Sequence, residues 1–328
     1  MNAVISSDKY VVLVKAGART YPRVEIDSSA LANLKGKGIK NIGVKYPNVS
    51  INIDVYSQKI DNINVTVADV EKPSIKVIES NIIKNIDDYT ILKIVKAQNV
   101  KVLANNDSDT SVTYYYSIKL DSPLEEGTVP YLLVDNKWIP IKNYVIKDDY
   151  AIIKTNKSGT IAFVKIDKKF GDTEVDNSKI AELISLGIVT GDSEGNLKLD
   201  KPVTRAETFS VLAKALDIDP HVYVGGFVDV PRNAWYAGYA EALRKLGIIE
   251  GYSNKLYPTA NVTREQLAKI VVNVVQRFAK LDTTDNVSIS DLNKVSGWAK
   301  DFVLKAVAAG LMSVNEDKFF RPQDFATR

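Results

Sequence analysis

The chain has 328 residues, room for two or three domains with real cores, and its 45% hydrophobic and 25% charged content is an ordinary globular balance. Lys plus Arg total 43 against 40 for Asp plus Glu, which gives no push toward nucleic acid, and no window reaches the ~18–20 apolar residues of a membrane span. With no Cys and a single His (His221), disulfides, thiol chemistry, a His-built metal site and a Cys–His nucleophile are excluded, and no cofactor is called for.

Residues 1–30 lack a signal-peptide pattern, so any leader is expected to have been removed or to lie outside this chain. The first half reads as β structure. Val49, Ile51, Ile53 and Val55 alternate with polar residues, as do Ile63, Val65 and Val67. Further strands are expected over 89–95, 112–120, 129–134 and 138–141, with Asp135-Asn136 as a tight turn between the last two. Residues 150–153 and 160–166 flank Asn156-Lys157-Ser158-Gly159 and predict another hairpin, while 28–34 predict a short helix. Alternation places two rings of Tyr114-Tyr115-Tyr116 on one face and one on the other, which reads as packing rather than a carbohydrate platform. The expectation is one or two sandwich-like units, 1–70 and 71–169, with a soft boundary at Glu71-Lys72-Pro73.

From Phe170 the period becomes helical, and a repeat emerges. Val203-Thr204-Arg205 and Val262-Thr263-Arg264 each open an apolar-periodic helix, and Ala326-Thr327-Arg328 ends the chain. Thr204 with Glu207, and Thr263 with Gln266, have capping-box spacing, which accounts for those residues but not for the arginines. Upstream of each Thr stand Leu197, Leu256 and Phe320, and farther back Gly187, Gly247 and Gly310, each ending an apolar-periodic stretch as a C-terminal helix glycine does. Trp235 and Trp298 precede the last two glycines by twelve residues. Phe170-Gly171-Asp172, Phe227-Val228-Asp229 and Ile289-Ser290-Asp291 open the units, at spacings of 57 and 62 residues. The units are 170–226, 227–288 and 289–328.

This order of landmarks, as in "FVDV…WYAGYAEALRKLGIIEG…LYPTANVTREQ", resembles the S-layer homology domain of bacterial surface proteins over 170–328. Residues 1–169, with "GTVPYLLVDNKWIPI" and "GTIAFVKI", look like the β module that often precedes such repeats in Firmicute surface proteins. The resemblance implies a multidomain protein: a mainly β, sandwich-like region followed by an all-α helical bundle of pseudo-threefold shape. It further implies noncovalent attachment, outside the cell, to the secondary polysaccharide linked to peptidoglycan, often through a pyruvylated amino sugar. The alternatives are a subunit of an S-layer lattice, with other surface-layer proteins as partners, or the non-catalytic C-terminal part of a secreted polysaccharide-processing enzyme.

A polymer carrying carboxylates on sugar rings calls for a charged fork, a flat apolar surface and acceptors for hydroxyls. Arg205 and Arg264, with Arg328 in the third copy, offer the fork, placed in a first helical turn where amides and dipole also favour an anion. Trp235 and Trp298 offer the surface; Asp172, Asp229 and Asp291 offer acceptors. The plain structural alternatives stay open: Trp as core, Asp as cap, Arg as a bridge between repeats. No acid stands out in an apolar setting, so no catalytic residue is assigned.

The copies differ. Repeat one has Val175 where the tryptophans stand and Leu199 where Pro258 and Pro322 stand; repeat three has Val314 where Gly191 and Gly251 stand and stops at Arg328. The expectation is therefore a weakened third repeat, with the stripe of Trp298, Phe302 and Ala306 uncovered, and at most two working grooves.

Overall fold

A computed structural model of the chain describes residues 2–6, 10–14, 24–56, 59–69, 91–104, 112–173, 175, 178–192, 194–281 and 287–328. Its chain falls into two compact units, one of Met1–Phe170 with Glu174–Thr190, the other of Gly171–Thr173 with Gly191–Arg328. The first is β-rich. Five of the six helices among the described residues lie beyond residue 177.

The β unit holds two sheets. One runs β1 (Asn2–Ser6), β2 (Tyr10–Val14), β4 (Asn41–Lys45), β5 (Val49–Asp54), β8 (Tyr114–Lys119), β12 (Tyr150–Thr155), β11 (Tyr144–Lys147). The other runs β10 (Lys137–Pro140), β9 (Thr128–Val134), β13 (Gly159–Asp167), β7 (Ile91–Ala104), β6 (Ile63–Asp69), β3 (Val24–Ile26). All neighbours are antiparallel except β2 and β4. Alternation does the work: Ile51, Ile53, Tyr114 and Tyr116 point into a core with Val65, Val102, Ile161 and Phe163, while Ser50, Asn52 and Ser117 point out. Each large apolar side chain so buried contributes roughly 1.5–3 kcal/mol. Tyr114 and Tyr116 stack at 6.2 Å in that core and Tyr115 lies outside it.

The turn at Asp135 and Asn136 has φ of 49° and 61°, the left-handed pair of a tight hairpin between β9 and β10. The short helix is α1 (Ser28–Gly36), whose start is fixed by the Asp27 carboxylate accepting from the Ala30 amide at 2.8 Å. Two expectations fail. Strands 150–153 and 160–166 do not form a hairpin: β12 pairs with β8 and β11, and β13 pairs with β7 and β9 in the other sheet. Residues 156–158 therefore carry the chain between sheets, because β13 is apolar on both faces and needs cover on both. Nor does the expected boundary separate two modules. Glu71, Lys72 and Pro73 lie outside the described residues, and strands from either side of them pair directly, β5 with β8 and β6 with β7.

The second face of β13 meets α2 (Ser178–Ser185), so the first helix of the first repeat belongs to the β unit. Val164 and Ile166 join Val129, Tyr131, Leu186 and Ile188 in a separate core. The Tyr131 hydroxyl donates to the Ser185 carbonyl at 2.6 Å, and the Tyr144 hydroxyl to Glu182 at 2.5 Å. Gly127 sits at φ +80°, and a Cβ there would come within 2.8 Å of the Ala181 Cβ, so this close approach of helix and strand requires glycine.

The helical unit contains α3 (Arg205–Ala215), α4 (Ala237–Lys245), α5 (Arg264–Phe278) and α6 (Lys300–Ala308). Phe209, Phe227, Leu243, Leu256 and Val262 form one core; Ala268, Val272, Val303, Ala306 and Phe320 form another. The stripe expected to lie open on α6 is thus largely covered. Ala306 is fully buried and Phe302 half-buried beside α5, with only Trp298 exposed. No described helix is long and apolar enough to cross a membrane.

Candidate functional site

Three aspartates do the same task in the three repeats. Asp172 accepts the amides of Leu197 and Lys198 at 2.9 and 2.7 Å. Asp229 accepts those of Leu256 and Tyr257, and Asp291 those of Phe320 and Arg321, all at 2.8 Å. The second residue of each pair is left-handed, with φ of 51°, 55° and 56° at Lys198, Tyr257 and Arg321. Such backbone costs a non-glycine residue of order 1–2 kcal/mol, and two charge-assisted hydrogen bonds per loop offset it. Burial works against the Asp172 carboxylate, yet the Leu197 and Lys198 amides hold it below the usual range. The aspartates therefore latch the loop that carries Leu197, Leu256 or Phe320, each carboxylate oxygen accepting one backbone amide.

The helix starts are equally committed. Thr204 and Glu207, and Thr263 and Gln266, form complete capping boxes. The Arg205 and Ala206 amides donate to the carbonyls of Ala260 and Pro258, and the Arg264 and Glu265 amides to those of Asp324 and Pro322. The amides reckoned as anion donors are spent on the next repeat. Val203, Ala326 and Val262 close a ring in which each amide donates to the next carbonyl, at 2.8–3.0 Å. Gly187, Gly247 and Gly310 end their helical stretches at φ of 66°, 68° and 67°.

The arginines bridge repeats and diverge at their tips. Arg205 Nε donates to the Leu256 carbonyl at 2.7 Å, with the guanidinium 5.1 Å from the Phe209 ring centre. Its terminal N–H groups have no hydrogen-bond partner among the described residues. Burial presses its pKa down while Asp229 opposes that. Arg264 Nε donates to the Phe320 carbonyl at 2.6 Å, but its Nη2 also donates to the Ser313 carbonyl at 2.7 Å.

The free tip of Arg205 opens into a groove of about 530 Å³. Loop residues 247–252 after α4, Tyr257 and Asn261 line it, with Lys269 and Asn273 of α5 and Trp298. Trp298 is 51% exposed, and Lys269 Nζ lies 5.9 Å from its ring centre. Buried Glu265 positions that ring from below: its carboxylate accepts the Ser296 amide at 3.0 Å and hydroxyl at 2.8 Å, two residues before Trp298. Gly251 lets the loop fold close, since a Cβ there would lie 2.5 Å from the Lys255 carbonyl oxygen. The groove thus joins residues of all three repeats: the cations Arg205 and Lys269, the amide side chains of Asn261, Gln266 and Asn273, the Glu250 carboxylate, and the aromatic faces of Tyr252, Tyr257 and Trp298.

Residues 175–209, 226–268 and 288–328 match the S-layer homology domain. The chain carries three S-layer homology domains. It is similar to the amylopullulanase of Thermoanaerobacterium thermosulfurigenes, 30% identical over 99% of this chain and 18% of that protein. It is also similar to exoglucanase XynX of Acetivibrio thermocellus, 34% identical over 45% of this chain and 14% of that protein. The surface-layer 125 kDa protein of Lysinibacillus sphaericus is 31% identical over 42% of this chain and 11% of its own length. The chain spans under a fifth of each of these relatives.

Of the residues singled out in the sequence, the groove brings together Arg205 and Trp298, with Gly247 and Gln266 also lining it. Trp235 is 63% exposed, edge-on to Tyr236 at 5.4 Å, and does not line it. Arg264 ties down another loop, and the Arg328 amide donates to the Lys201 carbonyl. Sequence reasoning missed Lys269, Asn261, Asn273, Tyr252 and Tyr257. Lys269 and Asn273 sit four residues apart on α5, at a helical spacing that could have shown them on one face. The tyrosines lie in a loop whose path depends on the Asp229 latch.

Proposed function

We propose that the helical unit holds a surface protein noncovalently to the bacterial cell wall, by binding a carboxylate-bearing secondary polysaccharide in the Arg205–Trp298 groove. The observation that carries this is the Arg205 guanidinium: fixed by one hydrogen bond, half desolvated, and facing the groove with its remaining donors unused. A carboxylate on a ketal-modified sugar takes those donors as charge-assisted bonds of about 1.5–3 kcal/mol. Trp298 and Tyr257 supply flat faces for pyranose rings, and Asn261 and Asn273 meet hydroxyls. The ring through Val203, Ala326 and Val262 supports a pseudo-threefold bundle, and the Arg205 groove takes its Arg from the first repeat, its loop from the second and its Trp from the third. The unit is then an anchoring module, placed at the cell surface, and no catalysis is assigned to it.

Sedimentation with purified cell-wall sacculi tests the proposal. The protein should pellet with intact sacculi and stay in solution with sacculi stripped of secondary polymer. Equal pelleting with both would refute polymer recognition.

A further inference from the structure

The outer face of the β4–β5–β8–β12–β11 sheet is not built like an ordinary strand surface. Gly43 lies opposite Asn52 and Ser50 opposite Ser117, so four small residues sit side by side where β-branched ones would stabilise the sheet better. They floor a trough of about 470 Å³. Ser50, Asn52 and Ser117 have no side-chain hydrogen-bond partner among the described residues. Tyr150, 38% exposed, and Ile152 form one wall. Tyr115, 39% exposed, stands opposite Asn52 with Lys154 Nζ 5.8 Å from its ring centre. Lys45 and Lys147 line the trough without an acidic partner among the described residues, and Asp148 is the one acid lining it.

We propose that this trough is a second glycan site, which binds a carboxylate-bearing polysaccharide strand. Tyrosine faces suit the apolar side of sugar rings, and the serine and asparagine floor suits hydroxyls. The two lysines are point charges for the carboxylates of the strand, and Asp148 is the single acid beside them. From β4 to β11 the face spans four strand spacings, roughly 19 Å, the length of several sugar units. Charge complementarity extends beyond the trough: residues 1–169 carry 24 Lys and Arg against 19 Asp and Glu, whereas 170–328 carry 19 against 21. None of the residues lining the trough lines the Arg205 groove.

The test is calorimetric titration of the full chain and of its Arg205→Ala variant with a galacturonate hexamer. Maltohexaose and a glycerol-phosphate hexamer serve as comparators. The galacturonate should still bind the Arg205→Ala variant, weaken with added salt, and bind that variant at least tenfold tighter than either comparator. Lys147→Ala with Tyr150→Ala should weaken it at least tenfold. Ser117→Val, which fills the floor with a better strand former, should do the same while leaving the melting temperature unchanged or raised. No binding of the galacturonate, comparable binding of a comparator, binding lost with Arg205→Ala, or binding indifferent to the trough variants would overturn the proposal.

Discussion

Arg205 and Arg264 stand at the same point of the same motif, and their difference is instructive. Both open a helix behind a complete capping box, and both hand Nε to a carbonyl of the following repeat. Arg205 stops there. Arg264 goes on to Ser313, and its guanidinium also lies close to Arg321, whose charge adds to burial in pressing its pKa down. A repeated motif thus guarantees the bridge between repeats, while the neighbourhood decides whether the tip is left for a ligand.

The largest expected effects probe the latches under the two arginines. Asp229→Ala and Asp291→Ala should each cost about 2–4 kcal/mol of stability, since each removes two hydrogen bonds to a charged group. They should differ in binding per folded molecule: lost for Asp229→Ala, which frees the loop carrying Tyr257, and nearly kept for Asp291→Ala. Chemical denaturation with sacculus pelleting measures both, and equal binding losses would erase the distinction between the grooves.

A smaller effect separates the arginines themselves. Arg205→Ala should weaken polymer binding at least tenfold, about 1.4 kcal/mol, with Arg264→Ala weakening it less than threefold. Arg264→Ala should instead lower stability more, because it leaves the Phe320 and Ser313 carbonyls without their donor. The reverse ranking would move the working site to the Arg264 loop.

The smallest effect is one the two helices should share. Thr204→Ala and Thr263→Ala should each lower stability by about 1 kcal/mol through the lost cap and leave polymer binding per folded molecule unchanged. A binding loss at either would show that the hydroxyl meets the ligand.

Much of this was legible in order of residues alone. Alternation at 49–55 and 63–67 marked strands, the Thr-x-x-Glu and Thr-x-x-Gln pairs marked helix starts, and tandem landmarks marked three units. The strand and cap signals are local, carried by residues within one or two turns of each other, and the repeat is read from its spacings of 57 and 62 residues along the chain. The role of Asp229 was not legible, because its partners are 27 and 28 residues away and an acid before an aromatic reads equally well as a ligand. The mistaken hairpin at 150–166 has a similar cause: a short polar loop between apolar runs looks the same whether the chain turns back or changes sheets.

The sequence by itself determined the periods, the caps, the repeat and its departures at Val175, Leu199 and Val314, all of which depend on spacing along one chain. Only the tertiary structure decided which arginine keeps free donors, which tryptophan faces it, and that the first helix of the first repeat packs in the β unit. Those outcomes turn on competition for partners across repeats. The Ser313 carbonyl takes the Arg264 tip, the Ala260 and Pro258 carbonyls take the amides that an anion would need, and the apolar second face of β13 recruits α2. Polar groups removed from water bind whatever acceptor the packing brings within reach, and apolar faces bind whatever covers them. That choice is made in space, among residues far apart in the chain.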